Sequence, residues 1–153
     1  MEQSQITDSV CGPIPDRQRG ALTLHPIRVL LIEDDPDAAE LLRIGLTQDP
    51  ADPIGVEWSA TITDAIKMLR ESDVDAILLD LGMPELSGFL TFGAIEAAAD
   101  PVIPVIVYTA DESVITREAA MARGAVDYLV KGETNPRDLR RKLRQAVQSN
   151  WMI

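Results

Sequence analysis

Five short apolar runs, each followed by a stretch with helical periodicity, constrain the fold more than any other feature of this sequence. Apolar residues at nearly every position of a run indicate a strand covered on both faces, as in a parallel sheet between two layers of helices. The runs predict strands at residues 27–32, 54–58, 76–79, 102–108 and 125–130.

The segments between the runs carry helix boundary signals. Asp35 and Pro36 suit the N-cap and the first position of a helix, and Asn135 with Pro136 does the same for the last one. Gly124 is typical of a helix end. Because strands and helices alternate and 153 residues are too few for an eight-stranded barrel, the sequence predicts a doubly wound α/β sheet.

The charge and the residue content exclude several classes of function. The chain has 25 acidic residues against 14 Lys and Arg, a net charge of -11, which argues against direct nucleic-acid binding. A single cysteine, Cys11, cannot form an internal disulfide, and the only histidine is His25. No apolar run reaches the length of a membrane span and no signal peptide is recognisable, so we expect a cytoplasmic protein without membrane contact.

The ends of the chain differ from its middle. Residues 1–26 contain several Pro and Gly without a sustained period and are interpreted as a flexible N-terminal leader. Residues 27–148 form the predicted domain and 149–153 a C-terminal tail. Residues 131–153 hold six basic and two acidic residues, so the last helix presents either a solvated basic face or a surface for a partner or a second copy. Its arginines are Arg137, Arg140, Arg141 and Arg144.

Polar residues follow the predicted strands directly, and in a parallel sheet these positions meet at one edge. Carboxylates brought together repel each other unless a cation or a proton intervenes. Ligands that are all oxygen suit a hard cation such as Mg²⁺. The residues in question are Glu33, Asp34, Asp35, Asp80, Thr109 and Lys131.

This set of side chains suggests phosphoryl transfer. A cation, the Lys131 ammonium and the Thr109 hydroxyl would surround a phosphoryl group, and a carboxylate would be the nucleophile. Positioning and charge neutralisation are most of what such a reaction requires.

The order of these motifs resembles the CheY-like receiver domains of two-component response regulators, over about residues 27–148. The resemblance implies a five-stranded, flavodoxin-like parallel sheet of order 2-1-3-4-5 with helices on both faces. It rests on the acidic run 33–35, the block 78–84, Gly88, the segment 108–110 and the segment 127–131.

The resemblance also implies a role for each site residue. Asp80 would accept the phosphoryl group, and Asp34 and Asp80 would bind Mg²⁺ together with the backbone carbonyl of Gly82. Glu33 would assist through a water, and Lys131 would pair with Asp80 and then with the phosphate.

A second group would transmit the change. Thr109 would move to hydrogen-bond the phosphate, assisted by the amide of Ala110, and the rotamer of the Tyr128 ring would follow Thr109. Asp35 is assigned to helix capping.

Three positions bear on how closely the chain follows the family. Gly132 stands after the lysine, where the family usually has a proline in a cis peptide. A cis bond without proline is costly, and the sequence leaves open whether the Lys131–Gly132 peptide is cis or trans. Gly82 and Asp111 occupy the variable positions that tune dephosphorylation in this family.

The implied function is a phosphorylation-dependent signalling switch rather than an enzyme, supporting only its own phosphoryl transfer and autodephosphorylation. The phosphodonor would be a sensor histidine kinase or a phosphotransfer protein, and a downstream protein would bind the face of the fourth helix, fifth strand and fifth helix. The resemblance also allows a homodimer. Two alternatives stay open: a phosphate-independent pseudo-receiver, which rests on Gly132, and an aspartyl-nucleophile phosphatase, which Gly82 disfavours because such enzymes usually carry an Asp there.

Overall fold

The computed structural model describes residues 25–151, without the side chain of Trp151, and contains one five-stranded parallel sheet in these residues. The sheet order is β2-β1-β3-β4-β5, as the resemblance implies. Most of the predicted leader, including Cys11, and the last two residues of the predicted tail lie outside the described residues. The strands are β1 (Ile27–Ile32), β2 (Ile54–Ser59), β3 (Ala76–Leu79), β4 (Val105–Thr109) and β5 (Asp127–Val130).

Five helices connect and cover the strands. The N-cap predictions hold at the first and last helices, where Asp35 Oδ1 accepts from the Asp37 amide at 3.0 Å and Asn135 Oδ1 accepts from the Asp138 amide at 2.8 Å. Gly124 follows the fourth helix with a φ of 110°, a conformation that favours glycine. The helices are α1 (Pro36–Thr47), α2 (Ile62–Glu71), α3 (Phe89–Ala98), α4 (Val114–Ala122) and α5 (Pro136–Trp151).

The sheet separates two hydrophobic cores. On one face, residues such as Ile62 of α2, Phe92 of α3 and Ala120 of α4 pack against the strands. On the other face, Leu46 of α1 and Leu143 of α5 do so. All four residues of β3 are buried, which explains why this strand reads as an uninterrupted apolar run.

Several predicted boundaries were wrong by a few residues. Strand β4 begins at Val105 rather than residue 102, because Pro104 has no N–H and contributes only its carbonyl, which accepts from the Ile77 amide at 2.9 Å. Strand β5 begins at Asp127 rather than residue 125. Helix α5 continues to Trp151, so residues 149–151 belong to the helix and not to the predicted tail.

The basic face predicted for α5 is partly internal. The Arg144 guanidinium is 5% exposed and pairs with Asp52, and Arg140 donates to the carbonyl of Gly45 in α1 at 2.5 Å. Arg144 therefore cannot contribute to a solvated face or a partner surface, whereas Arg137 and Arg141 are exposed. Within residues 25–151, no helix combines the length and the apolar character that crossing a membrane requires.

Candidate functional site

The predicted site residues come together at the carboxyl ends of the strands. Backbone hydrogen bonds continue past the strand ends and hold the residues that follow. The Glu33 amide donates to the Ser59 carbonyl at 3.1 Å, and the Asp80 amide donates to the Ile32 carbonyl at 3.0 Å. The Lys131 amide donates to the Thr109 carbonyl at 2.8 Å. The sheet's hydrogen bonds therefore fix the backbone positions of Glu33, Asp80 and Lys131, from which their side chains extend into the site.

Asp80 is the centre of this site. Its Oδ1 accepts from the Gly82 amide and from the Thr109 hydroxyl, both at 2.9 Å, and its Oδ2 accepts from Lys131 Nζ at 2.9 Å. Burial raises the pKa of this carboxyl, but the Gly82 amide and Lys131, helped by Thr109, outweigh it and bring the pKa below its ordinary value. Asp80 is therefore an ionised carboxylate at neutral pH although it is only 7% exposed.

Lys131 joins a second buried carboxylate to the first. Its Nζ lies 2.5 Å from Glu33 Oε1 as well as 2.9 Å from Asp80 Oδ2. Burial raises the pKa of Glu33, with Lys131 and the Asp35 amide opposing the rise. Burial alone would lower the pKa of Lys131, but its hydrogen bonds to Glu33 and Asp80 raise it, so the amine stays protonated.

The acidic cluster matches a hard divalent cation by its chemistry and its spacing. Carboxylate oxygens of Glu33, Asp34 and Asp80, one from each residue, all lie within 4.8 Å of one another. Two of the three side chains are buried while Asp34 is exposed, so the cluster is open to solvent on one side. Oxygen ligands and an open side, which leaves room for water and phosphate oxygens, are typical of Mg²⁺ sites.

Gly82 leaves space beside the Asp80 carboxylate. A Cβ placed on Gly82 would lie 3.4 Å from Asp80 Oδ1, in van der Waals contact with the Asp80 carboxylate. Any larger side chain at this position would therefore occupy space next to the carboxylate that is open here.

Thr109 already contacts Asp80 in this structure, because its hydroxyl donates to Asp80 Oδ1. Its predicted movement toward a phosphate stays a prediction. The Asp111 amide donates to the same hydroxyl at 3.3 Å, so the loop after β4 is tied to Thr109. Ala110 follows Thr109 and is exposed at this edge.

Tyr128 is buried beneath the same loop. Its hydroxyl donates to the Asp111 carbonyl at 2.8 Å, and the Arg117 guanidinium lies 5.2 Å from the centre of its ring. Burial, followed by the charge of Asp111, raises the pKa of this phenol to about 12. Thr109 and Tyr128 thus bind the backbone of the same loop residue: the Asp111 amide donates to Thr109, and the Asp111 carbonyl accepts from Tyr128.

The loop after β5 accommodates the absence of the family's proline. The described residues contain no cis peptide, so the Lys131–Gly132 bond, which the sequence left open, is trans. Gly132 has a φ of 90° and the Glu133 amide donates to the Val130 carbonyl at 3.1 Å, as in a turn with glycine at its third position. Lys131 reaches Asp80 from this trans loop.

Two contacts at this edge were not predicted. The Trp58 indole donates to the Glu33 carbonyl at 2.7 Å. Glu85, in the loop after Asp80, accepts from the Ile62 amide at 2.5 Å and from Thr63, and these bonds lower its pKa. A lone Trp or Glu has no local sequence pattern that would reveal either contact, because both partners are distant in sequence.

The fold and this site are those of a receiver domain, and the comparisons agree. The family model described as the response regulator receiver domain matches residues 29–144. The chain belongs to this family of two-component signalling domains.

Curated relatives and solved structures are consistent with that assignment. The chain is 40% identical over 106 residues to the transcriptional regulatory protein PrrA of Mycobacterium leprae, covering 68% of this chain and 43% of that one. It is 32% identical to GlrR of Escherichia coli over 69% of this chain and 23% of that one, so it spans less than half of these relatives.

Two solved structures show the same fold. A CheY-like receiver domain from Methanospirillum hungatei superposes with a TM-score of 0.74 at 21% identity, over 84% of this chain and 98% of that one. The receiver domain of a putative Luxo repressor protein from Vibrio parahaemolyticus gives 0.72 at 28% identity, over 84% and 95%.

Proposed function

We propose that this receiver is a switch whose Asp80 accepts a phosphoryl group from a phosphohistidine on a sensor histidine kinase or a phosphotransfer protein. The observation that carries the proposal is the ionised Asp80 carboxylate held by Lys131, Thr109 and the Gly82 amide. Receiver domains are generally signalling switches rather than classic enzymes, which agrees with a product that is a conformational state of the protein.

In the proposed transfer, an oxygen of the Asp80 carboxylate attacks phosphorus while the bond from phosphorus to the donor imidazole breaks. The imidazole nitrogen keeps the electron pair, and the chain carries an aspartyl phosphate. Asp34 and Asp80, with the Gly82 carbonyl, are the proposed direct Mg²⁺ ligands, and Glu33 would act through a metal-bound water. The cation would neutralise charge on the phosphoryl oxygens.

The chain's own residues stabilise and limit this state. Lys131 exchanges part of its contact with Asp80 for a phosphate oxygen, and the Thr109 hydroxyl and the Ala110 amide donate to the others. The space left by Gly82, together with Asp111, is the proposed route and control for the water that hydrolyses the aspartyl phosphate.

The proposed output passes through Thr109 and Tyr128. Phosphorylation would strengthen an arrangement in which both already contact Asp111, and so favour one conformation of the face formed by α4, β5 and α5. A downstream protein or a second copy of the chain would bind this face. Residues 27–148 are the proposed receiver unit.

The phosphate-independent alternative loses its main support. It rested on Gly132, and the ion pair from Lys131 to Asp80 is made from the trans loop that Gly132 allows. No observation favours the phosphatase.

The test is phosphorylation by acetyl phosphate with Mg²⁺, followed by intact mass measurement. We expect wild type to gain one phosphoryl mass and Asp80→Asn to gain none. Asp35→Asn is the matched control, because the side chain of this neighbouring carboxylate makes just the helix-cap hydrogen bond among residues 25–151, a role that Asn also fills. A wild-type protein that gains no mass would contradict the proposal, as would an Asp80→Asn variant that does gain it.

A further inference from the structure

Trp58 contacts the loop that carries Glu33 and Asp34, two residues of the proposed cation site. It lies at the end of β2, paired in register with Leu31 of β1, and its indole Nε1 donates to the Glu33 carbonyl at 2.7 Å. The side chain is 39% exposed, so hydrophobic burial alone does not account for a tryptophan at this position.

The carboxylate that depends most on this contact is Asp34. Its side chain forms no hydrogen bond or ion pair with any residue between 25 and 151, unlike Glu33 and Asp80, which Lys131 holds directly. The region that the Asp34 carboxylate can reach is therefore set by the position of its backbone and not by a side-chain partner among these residues.

The backbone between Glu33 and Asp34 receives a hydrogen bond from the Trp58 indole. The Glu33 carbonyl and the Asp34 nitrogen belong to one planar peptide unit, so a donor on the carbonyl orients the whole plane. The other contacts of this loop bind Glu33 on either side: its amide donates to Ser59 at 3.1 Å, and its Oε2 accepts from the Asp35 amide at 3.2 Å. Among the described contacts, Trp58 is the one that orients the peptide between the two carboxylates.

We propose that Trp58 is a positioning residue of the cation site, holding the Glu33–Asp34 peptide so that Asp34 points into the acidic cluster. This inference rests on the proposed function, in which Asp34 binds Mg²⁺. Hydrogen bonds that orient metal ligands contribute strongly to metal affinity although they do not touch the ion.

The test is calorimetric titration of the chain with Mg²⁺ in wild type, Trp58→Phe and Trp151→Phe. Phenylalanine keeps an aromatic ring and removes the donor, and we expect its dissociation constant for Mg²⁺ to rise about fivefold or more. Trp151→Phe, the same substitution at the other tryptophan, is expected to leave it unchanged. Melting temperatures without Mg²⁺ show whether each variant is folded.

A second measurement separates the hydrogen bond from the shape of the ring. Incorporation of benzothienylalanine into the Trp151→Phe background replaces Trp58 by an isostere that lacks only the N–H donor, and we expect the same loss of Mg²⁺ affinity. Unchanged affinity with the isostere overturns the positioning role, whatever Trp58→Phe does. A wild-type chain that binds no Mg²⁺ overturns the proposed function, whereas wild-type binding with no effect of the isostere overturns this inference alone.

Discussion

At the scale of single residues, Lys131 decides the charge state of the site. It lies between Glu33 and Asp80, two buried carboxylates that would otherwise repel each other. Its two hydrogen bonds keep the amine protonated, and the amine in turn helps to keep Asp80 ionised. Asp80, the nucleophile proposed for phosphoryl transfer, therefore depends on the Lys131 ammonium for part of its ionisation.

We expect Lys131→Met to destabilise the fold in a pH-dependent way. In wild type the pKa of Asp80 is below its unfolded value, so this group contributes stability above its unfolded pKa and loses it as pH falls through the folded pKa. Without Lys131, the pKa of both carboxyls rises relative to wild type, because burial then meets less opposing charge, and the stability that the ionised groups contribute above their unfolded pKa is reduced.

The loss should therefore be largest at pH 7, about 3 kcal/mol for a broken and largely buried ion pair, and should shrink towards pH 4. Urea unfolding of wild type and Lys131→Met without divalent cations checks this. A loss that is the same at both pH values would contradict the proposed coupling.

At the scale of elements, the contact between α1 and α5 depends on one glycine. A Cβ on Gly45 would lie 2.7 Å and 2.8 Å from the Cβ and Cγ of Pro136, too close for the helices to keep their present approach. Gly93 in α3 has no atom within 4 Å of its virtual Cβ. Gly45 therefore allows close packing of α1 against α5, whereas Gly93 lowers the stability of α3 without any packing role.

Alanine at these two positions should have opposite effects. Gly93→Ala should raise the free energy of unfolding by about 0.5 to 1 kcal/mol, because alanine favours the helix. Gly45→Ala should lower it by about 1 to 3 kcal/mol, because the overlap with Pro136 outweighs that gain. Urea unfolding of both variants measures the difference, and a stabilised Gly45→Ala would show that α5 can shift without cost.

At the scale of the whole molecule, Arg144 connects the two ends of the described chain. Its Nε and Nη2 donate to Asp52 Oδ1 at 3.0 Å and 2.5 Å, and Nη2 also contacts the Pro53 carbonyl at 3.3 Å. Nη1 donates to the carbonyl of His25. One side chain of α5 therefore holds both the segment entering β1 and the loop entering β2.

Arg144→Met should lower the free energy of unfolding by about 3 kcal/mol, because it leaves the Asp52 carboxylate without its partner in a largely buried site. Arg141→Met is the matched control. Arg141 is exposed on the same helix and its contact with Asp138 is 3.4 Å long, so its loss should cost no more than about 0.5 kcal/mol. Similar losses in chemical denaturation of the two variants would contradict this account of Arg144.

The fold and the location of the site were predictable because both depend on local patterns. Continuous apolar runs identify buried strands, and the residues that follow parallel strands meet at one edge whatever the details of packing. The positions of Asp80, Thr109 and Lys131 at that edge were predicted in this way.

The strand boundaries were less predictable. Pro104 lies inside an apolar run, and only the sheet shows that the strand begins after it and that its carbonyl accepts from the Ile77 amide.

The sequence by itself determined the order of elements and the acidic edge, since each follows from residue types at fixed spacings. Only the tertiary structure decided that Lys131 joins Glu33 to Asp80, that Trp58 binds the Glu33 carbonyl and that Arg144 is buried. The contacts of these three side chains join residues 25 to 119 positions apart. Contacts between residues so far apart depend on how the sheet and helices pack, and a local sequence pattern does not predict them.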